Sequence, residues 1–98
     1  MTTKPEMTTK PEYIEVDEAS GKNTVTLKRT YGGVSQIVMR EPTVQDLLTA
    51  DMQVKNGSNA EKEVMMFANL CEVTPEFIKD LGVGSYERLQ ESYRLFTS

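Results

Sequence analysis

Apolar and polar positions alternate from residue 23 to residue 40, then fall three and four apart from residue 44 to the end. The first period is that of strands and the second that of helices. Asn23–Tyr31 and Val34–Arg40 read as two strands joined by Gly32-Gly33, a pair that supplies the positive φ angles of a tight hairpin turn. Unbroken pairing from that turn sets Tyr31 opposite Val34, Arg29 opposite Gln36, Leu27 opposite Val38, and Val25 opposite Arg40. Val25, Leu27, Tyr31, Val34 and Val38 are then expected on the core face. Thr26, Lys28, Thr30, Ser35, Ile37 and Met39 are expected on the other. A lone hairpin is marginal in water, so it must pack on the helices or on another copy.

Arg40-Glu41-Pro42-Thr43-Val44-Gln45-Asp46 switches the chain from strand to helix. Pro42 disfavours a helical Glu41. Thr43 is placed to cap the helix, and Asp46 to reach back to the Thr43 N–H in a capping box. Arg40 either pairs with Asp46 or Glu41 or points to a partner. The first helix reads Val44–Val54, with Val44, Leu47 and Leu48 as its buried stripe. Asn56-Gly57 ends it, and Ser58 with Glu61 offers a second capping box. The next helix carries Ala60, Val64, Phe67, Ala68 and Cys71 on one face. Thr74-Pro75-Glu76 opens a third, with Phe77, Ile78 and Leu81 apolar. Gly82-Val83-Gly84 stops it, and Ser85 is expected to cap the last helix. There Tyr86, Leu89, Tyr93 and Phe96 form a core stripe. The class expected is α+β: an N-terminal β-hairpin followed by a small bundle of three to four short helices.

The N-terminal segment breaks both periods. Residues 1–6 are repeated as residues 7–12, with methionine the only apolar residue in them. Such a segment buries too little to offset its ordering entropy. Residues 13–22 are acidic and end in Ser20-Gly21-Lys22; Tyr13, Ile14 and Val16 are expected to dock weakly at most. Residues 1–22 are therefore read as a disordered arm and linker, and residues 23–98 as the domain.

Composition narrows the function. Eleven basic against fifteen acidic residues give a net charge of −4, which disfavours phosphate-backbone binding as the main activity. Lys28, Arg29 and Arg40 make only a small basic patch. The chain has no histidine and one cysteine. A Cys/His zinc site and an internal disulfide are thereby excluded for one chain, and the commonest general base is missing. Glu15, Asp17 and Glu18 lack the pattern of a calcium loop. No enzyme activity, cofactor or metal is expected. No apolar run is long enough to span a membrane, and the first 20 residues hold no signal-peptide stretch.

Three segments carry a resemblance: Thr24-Val25-Thr26-Leu27, Arg40-Glu41-Pro42-Thr43-Val44-Gln45-Asp46-Leu47 and Tyr86-Glu87-Arg88-Leu89-Gln90. In this order they resemble the tail assembly chaperones of Mu-like contractile-tailed phages, over residues 22–97. One departure is Ser85, where that family usually has an acidic residue before the tyrosine. The resemblance implies a chaperone that binds the tape measure protein and shields its apolar surface until the tail tube polymerises around it. It also implies a longer form made by ribosomal frameshifting, contact with that form and with tail tube protein, location in the host cytoplasm, and absence from the mature virion. Homo-oligomerisation through the hairpin edges is expected.

Methionine adapts to varied apolar partners, and Met39, Met52, Met65 and Met66 lie in or beside the predicted elements. Met66 falls opposite the apolar stripe of the second helix and is expected to face outward. The candidate partner-contacting residues are Met65, Met66, Leu70, Arg40, Tyr86 and Tyr93, with Pro42, Thr43 and Asp46 as a structural motif. Cys71 is expected to be buried and inert. The competing functions are a small structural tail or baseplate component and, further off, a nucleic-acid-binding regulator.

Overall fold

A computed structural model describes residues 10–98. The duplicated segment, expected to be a disordered arm, lies outside the described residues up to residue 9. Seven elements follow in order: β1 Ile14–Asp17, β2 Lys22–Tyr31, β3 Val34–Arg40, α1 Val44–Gln53, α2 Asn59–Cys71, α3 Pro75–Lys79 and α4 Val83–Thr97. The fold is α+β, as expected, with a three-stranded antiparallel sheet of order β1-β2-β3 in place of a two-stranded hairpin.

The added strand corrects the reading of residues 13–22 as a linker. Ile14 pairs with Val25 and Asp17 with Lys22, and Ile14 is among the most buried side chains. The Asp17 carboxylate accepts the N–H groups of Ala19 and Ser20. Gly21, at φ +70°, completes the turn. The acidic residue of the supposed linker is therefore a turn former.

At the hairpin tip, Gly32 and Gly33 have φ of +56° and +83°, as a two-residue turn between strands requires. Tyr31 faces Val34 as expected, but beyond it the register changes. Thr26 pairs with Gln36, Val25 with Ile37, Thr24 with Val38, and Asn23 with Met39. Leu27, Lys28, Arg29 and Thr30 of β2 thus bulge opposite Ser35 alone. Because strand side chains alternate, this odd shift reverses which residues of β3 face inward. Ile37 and Met39 are buried, while Val38 is 46% exposed. The expected core face was right for Val25 and Leu27, held in part for Tyr31 and Val34, which pack half-buried against the core, and was reversed for Ile37, Val38 and Met39.

The bulge frees backbone groups from the ladder, and α4 satisfies them. Ser85 Oγ accepts the Lys28 N–H at 2.9 Å. Arg88 Nη1 donates to the Thr26 carbonyl at 3.0 Å, and its guanidinium lies 4.2 Å from the centroid of the Tyr13 ring. Tyr31 Oη accepts the Gly82 N–H and shares a hydrogen bond with Ser85 Oγ. Ser85 is therefore not the cap of α4, as expected from sequence. The helix starts earlier, with Gly82 at its N-cap, and carries Ser85 buried in its first turn.

Helices α4 and α2 pack on the inner face of the sheet, over β2 and β3 respectively, and α3 packs on α2. Phe67 is central, its ring 5.6 Å from those of both Tyr86 and Tyr93. Val25, Ile37, Met39, Leu70, Ile78 and Leu89 close around it. Polar contacts cross this core at Ser92: Asn23 Nδ2 donates to Ser92 Oγ at 3.1 Å and to the Ser92 carbonyl, and Ser92 Oγ donates to Met39 Sδ at 3.5 Å. The Asn23–Ser92 pair ties β2 to α4 and satisfies the buried amide nitrogen, while Asn23 Oδ1 has no partner among the described residues.

Candidate partner-binding face

α1 begins where the sequence places its start. Thr43 Oγ1 accepts the Asp46 N–H, and Asp46 Oδ2 accepts the Thr43 N–H at 2.8 Å. Arg40 completes the junction: its Nη1 and Nη2 each donate to an Asp46 carboxylate oxygen at 2.8 Å. Paired, planar contacts of this kind are among the stronger hydrogen bonds in proteins. The Arg40 guanidinium, followed by the Thr43 donors, holds the Asp46 carboxyl well below the usual carboxylate range, against the opposing effect of burial. Of the three roles open to Arg40, the structure shows pairing with Asp46.

This junction fixes which face of α1 turns inward. Asp46 and Ala50 are its buried residues. Val44, Leu47, Leu48 and Met52 are exposed by 72, 51, 55 and 69%. Their spacing puts them on one side of the helix. The expected buried stripe Val44-Leu47-Leu48 is therefore reversed. An ion pair at the core-facing edge takes the place of large apolar side chains. α1 rests on α2, fastened by polar contacts. Lys62 Nζ lies 2.8 Å from Asp51 Oδ1, and Asn69 Nδ2 donates to Gln53 Oε1 at 2.8 Å.

A groove of about 300 Å³ runs between the two helices. Leu47, Ala50 and Asp51 of α1 form one wall, Lys62 and Glu63 of α2 the other, and Met66, Phe67 and Tyr93 the floor. Glu63 Oε1 accepts hydrogen bonds from Tyr86 Oη and from Gln90 Nε2. Burial, and then this bond to the carboxylate, raise the Tyr86 hydroxyl well above its ordinary pKa. Val83 is a further exposed apolar residue, at the start of α4.

The candidate residues divide accordingly. Tyr93 reaches the groove floor, and Tyr86 sits beside it, bonded to Glu63. Both are partly buried against the core. Met65 is partly buried and Leu70 is buried. Met66, expected on the outer face, is only 6% exposed. The correction has a plain cause: α1 covers the side of α2 that would otherwise face solvent, so α2 buries a wider arc than one stripe. Pro42, Thr43 and Asp46 form the junction expected of them. Val44, Leu47, Leu48 and Met52 were missed as a surface. Periodicity reveals an apolar face without saying whether it points in or out.

Cys71 is buried, and burial pushes its thiol up to about 12. Among the described residues, no helix is long and apolar enough to cross a membrane.

No curated protein and no solved structure matches the chain. A family model does, described as phage tail assembly chaperone proteins, E, or 41 or 14, and it matches residues 23–98. That span runs from Asn23, the second residue of β2, through α4 and holds the Arg40–Asp46 junction, the α1 stripe and the groove beside it, so the chain belongs to the phage tail assembly chaperone family.

Proposed function

We propose that this protein is a non-enzymatic chaperone that holds helical segments of the tape measure protein on its α1 face until the tail tube assembles. It acts in the host cytoplasm and leaves before the virion is complete. The observation that carries the reading is the open stripe Val44-Leu47-Leu48-Met52 on a helix that turns only Asp46 and Ala50 inward. Contiguous exposed apolar surface marks interaction sites in soluble proteins. Family membership supplies the setting, tail assembly.

Magnitudes favour a weak, repeated contact over a single tight one. Burying four such side chains completely gains about 6–12 kcal/mol. They are already partly covered, and association itself costs about 4–15 kcal/mol. One site therefore binds loosely and releases readily. Several copies along one long chain add through effective concentration, so the client stays covered while each contact remains reversible.

Co-expression tests the reading. Tape measure protein made with this chain should be recovered in the soluble fraction, and without it in the pellet. Purified virions should lack the chain. Equal recovery in both cultures, or the chain present in stoichiometric amount in virions, would overturn the proposal.

A further inference from the structure

We propose that the groove between α1 and α2 selects an amphipathic helix bearing a lysine or arginine one turn from a large apolar side chain, the cation pairing with Glu63. The inference rests on the chaperone reading and names what the site recognises.

Two carboxylates line the groove, and they are not equivalent. Asp51 is already neutralised by Lys62 at 2.8 Å. Glu63 is partly buried, and among the described residues no lysine or arginine nitrogen lies within ion-pair distance of it. Its Oε1 takes two neutral donors, Tyr86 Oη and Gln90 Nε2. These bonds hold the carboxylate in place without cancelling its charge. The floor beside it is apolar and aromatic: Met66, Phe67 and Tyr93. A long cationic side chain suits both parts, its methylenes lying on the rings and its head on the carboxylate. The groove opens onto Leu47, which belongs to the exposed stripe of α1. A helix lying along that stripe presents residues three and four apart to the same side. One such residue can fill the groove while its neighbour reaches Glu63. Charge complementarity thus favours a basic amphipathic segment over a purely apolar one, in keeping with the chain's net charge of −4.

Fluorescence anisotropy with overlapping synthetic peptides spanning the tape measure protein of the same phage tests this, using the full chain. Peptides that bind should carry a lysine or arginine three or four positions from a large apolar residue. Glu63→Gln retains an acceptor oxygen for Tyr86 and Gln90, so its melting temperature should stay close to wild type. It should weaken these peptides about tenfold, the scale of losing a charge-assisted bond, and flatten their salt dependence. Replacing the peptide's cation by glutamine should weaken wild type equally and Glu63→Gln no further. Unchanged affinity for Glu63→Gln, or binding by peptides without a cation, would overturn the inference and leave the chaperone reading intact. Failure of wild type to bind any peptide, together with failure to solubilise the co-expressed protein, would remove both. A wild-type dimer in sedimentation that Glu63→Gln dissociates would assign the groove to a second copy instead.

Discussion

Ser85 Oγ accepts the backbone N–H of Lys28 at 2.9 Å, joining α4 to the bulge of β2. The bulge sets the parity of the sheet and so decides that Ile37 and Met39, not Val38, enter the core. Ser85→Ala leaves the Lys28 N–H without its acceptor and Tyr31 Oη with only the Gly82 N–H of its two partners. A loss of about 1–3 kcal/mol is expected. Urea unfolding of the variant measures it; a loss below about 0.5 kcal/mol would mean that water replaces the hydroxyl.

The capping junction gives a second expectation. Thr43→Ala removes one cap bond and should cost about 1 kcal/mol. Asp46→Ala removes the same box and also strands Arg40, so about 2–4 kcal/mol is expected. Combined, the two losses should fall short of their sum, because both side chains serve one box. A denaturant double-mutant cycle reads the coupling directly.

The same carboxylate makes stability pH-dependent. Asp46 is held below its unfolded value of about 3.9. Its contribution is therefore complete above about pH 4 and is lost as the pH falls from there toward the folded value. Urea midpoints measured from pH 7 down to pH 2 should drop in that window. Asp46→Asn should start lower and drop less. An equal acid slope in both proteins would assign the loss to other carboxylates.

What the sequence made legible was local. The boxes Thr43–Asp46 and Ser58–Glu61, the Thr74-Pro75 start and the Gly32-Gly33 turn each depend on residues within a few positions, and each is found where expected. The register was not legible, because the bulge that sets it is held by a contact between Lys28 and Ser85, 57 residues apart. Strand β1 was hidden by its brevity and acidic flanks; only pairing with β2 reveals it. The inward face of α1 was misread because the largest apolar residues were assigned to the core. An Arg40–Asp46 pair at the inner edge reverses that choice, and the candidate site moved with it from Met66 to the α1 stripe.

Met66 and Leu48 should accordingly exchange the behaviours their positions implied. Met66→Lys puts a charge beside Phe67 at a position only 6% exposed, which should cost several kcal/mol even with Glu63 one turn away, because the head must be drawn from water and the methionine packing is lost. Leu48→Asp replaces an exposed side chain and should change stability by within about 0.5 kcal/mol. Thermal melts of the two variants distinguish them.

Cys71 offers a check on packing. With its thiol buried and pushed up to about 12, it should be inert to a thiol reagent at pH 8 and react only as the chain opens. Full labelling within seconds in native buffer would show the α2 face to be open.

The most direct measurement is solubilisation of co-expressed tape measure protein by the double variant Leu47→Asp/Leu48→Asp. Both side chains are exposed, so the variant should fold with a melting temperature near that of wild type. The expected result is a folded chaperone that leaves the tape measure protein in the pellet, while wild type keeps it soluble. Solubilisation by the folded double variant at the wild-type level would contradict the assignment of α1 as the client-binding face.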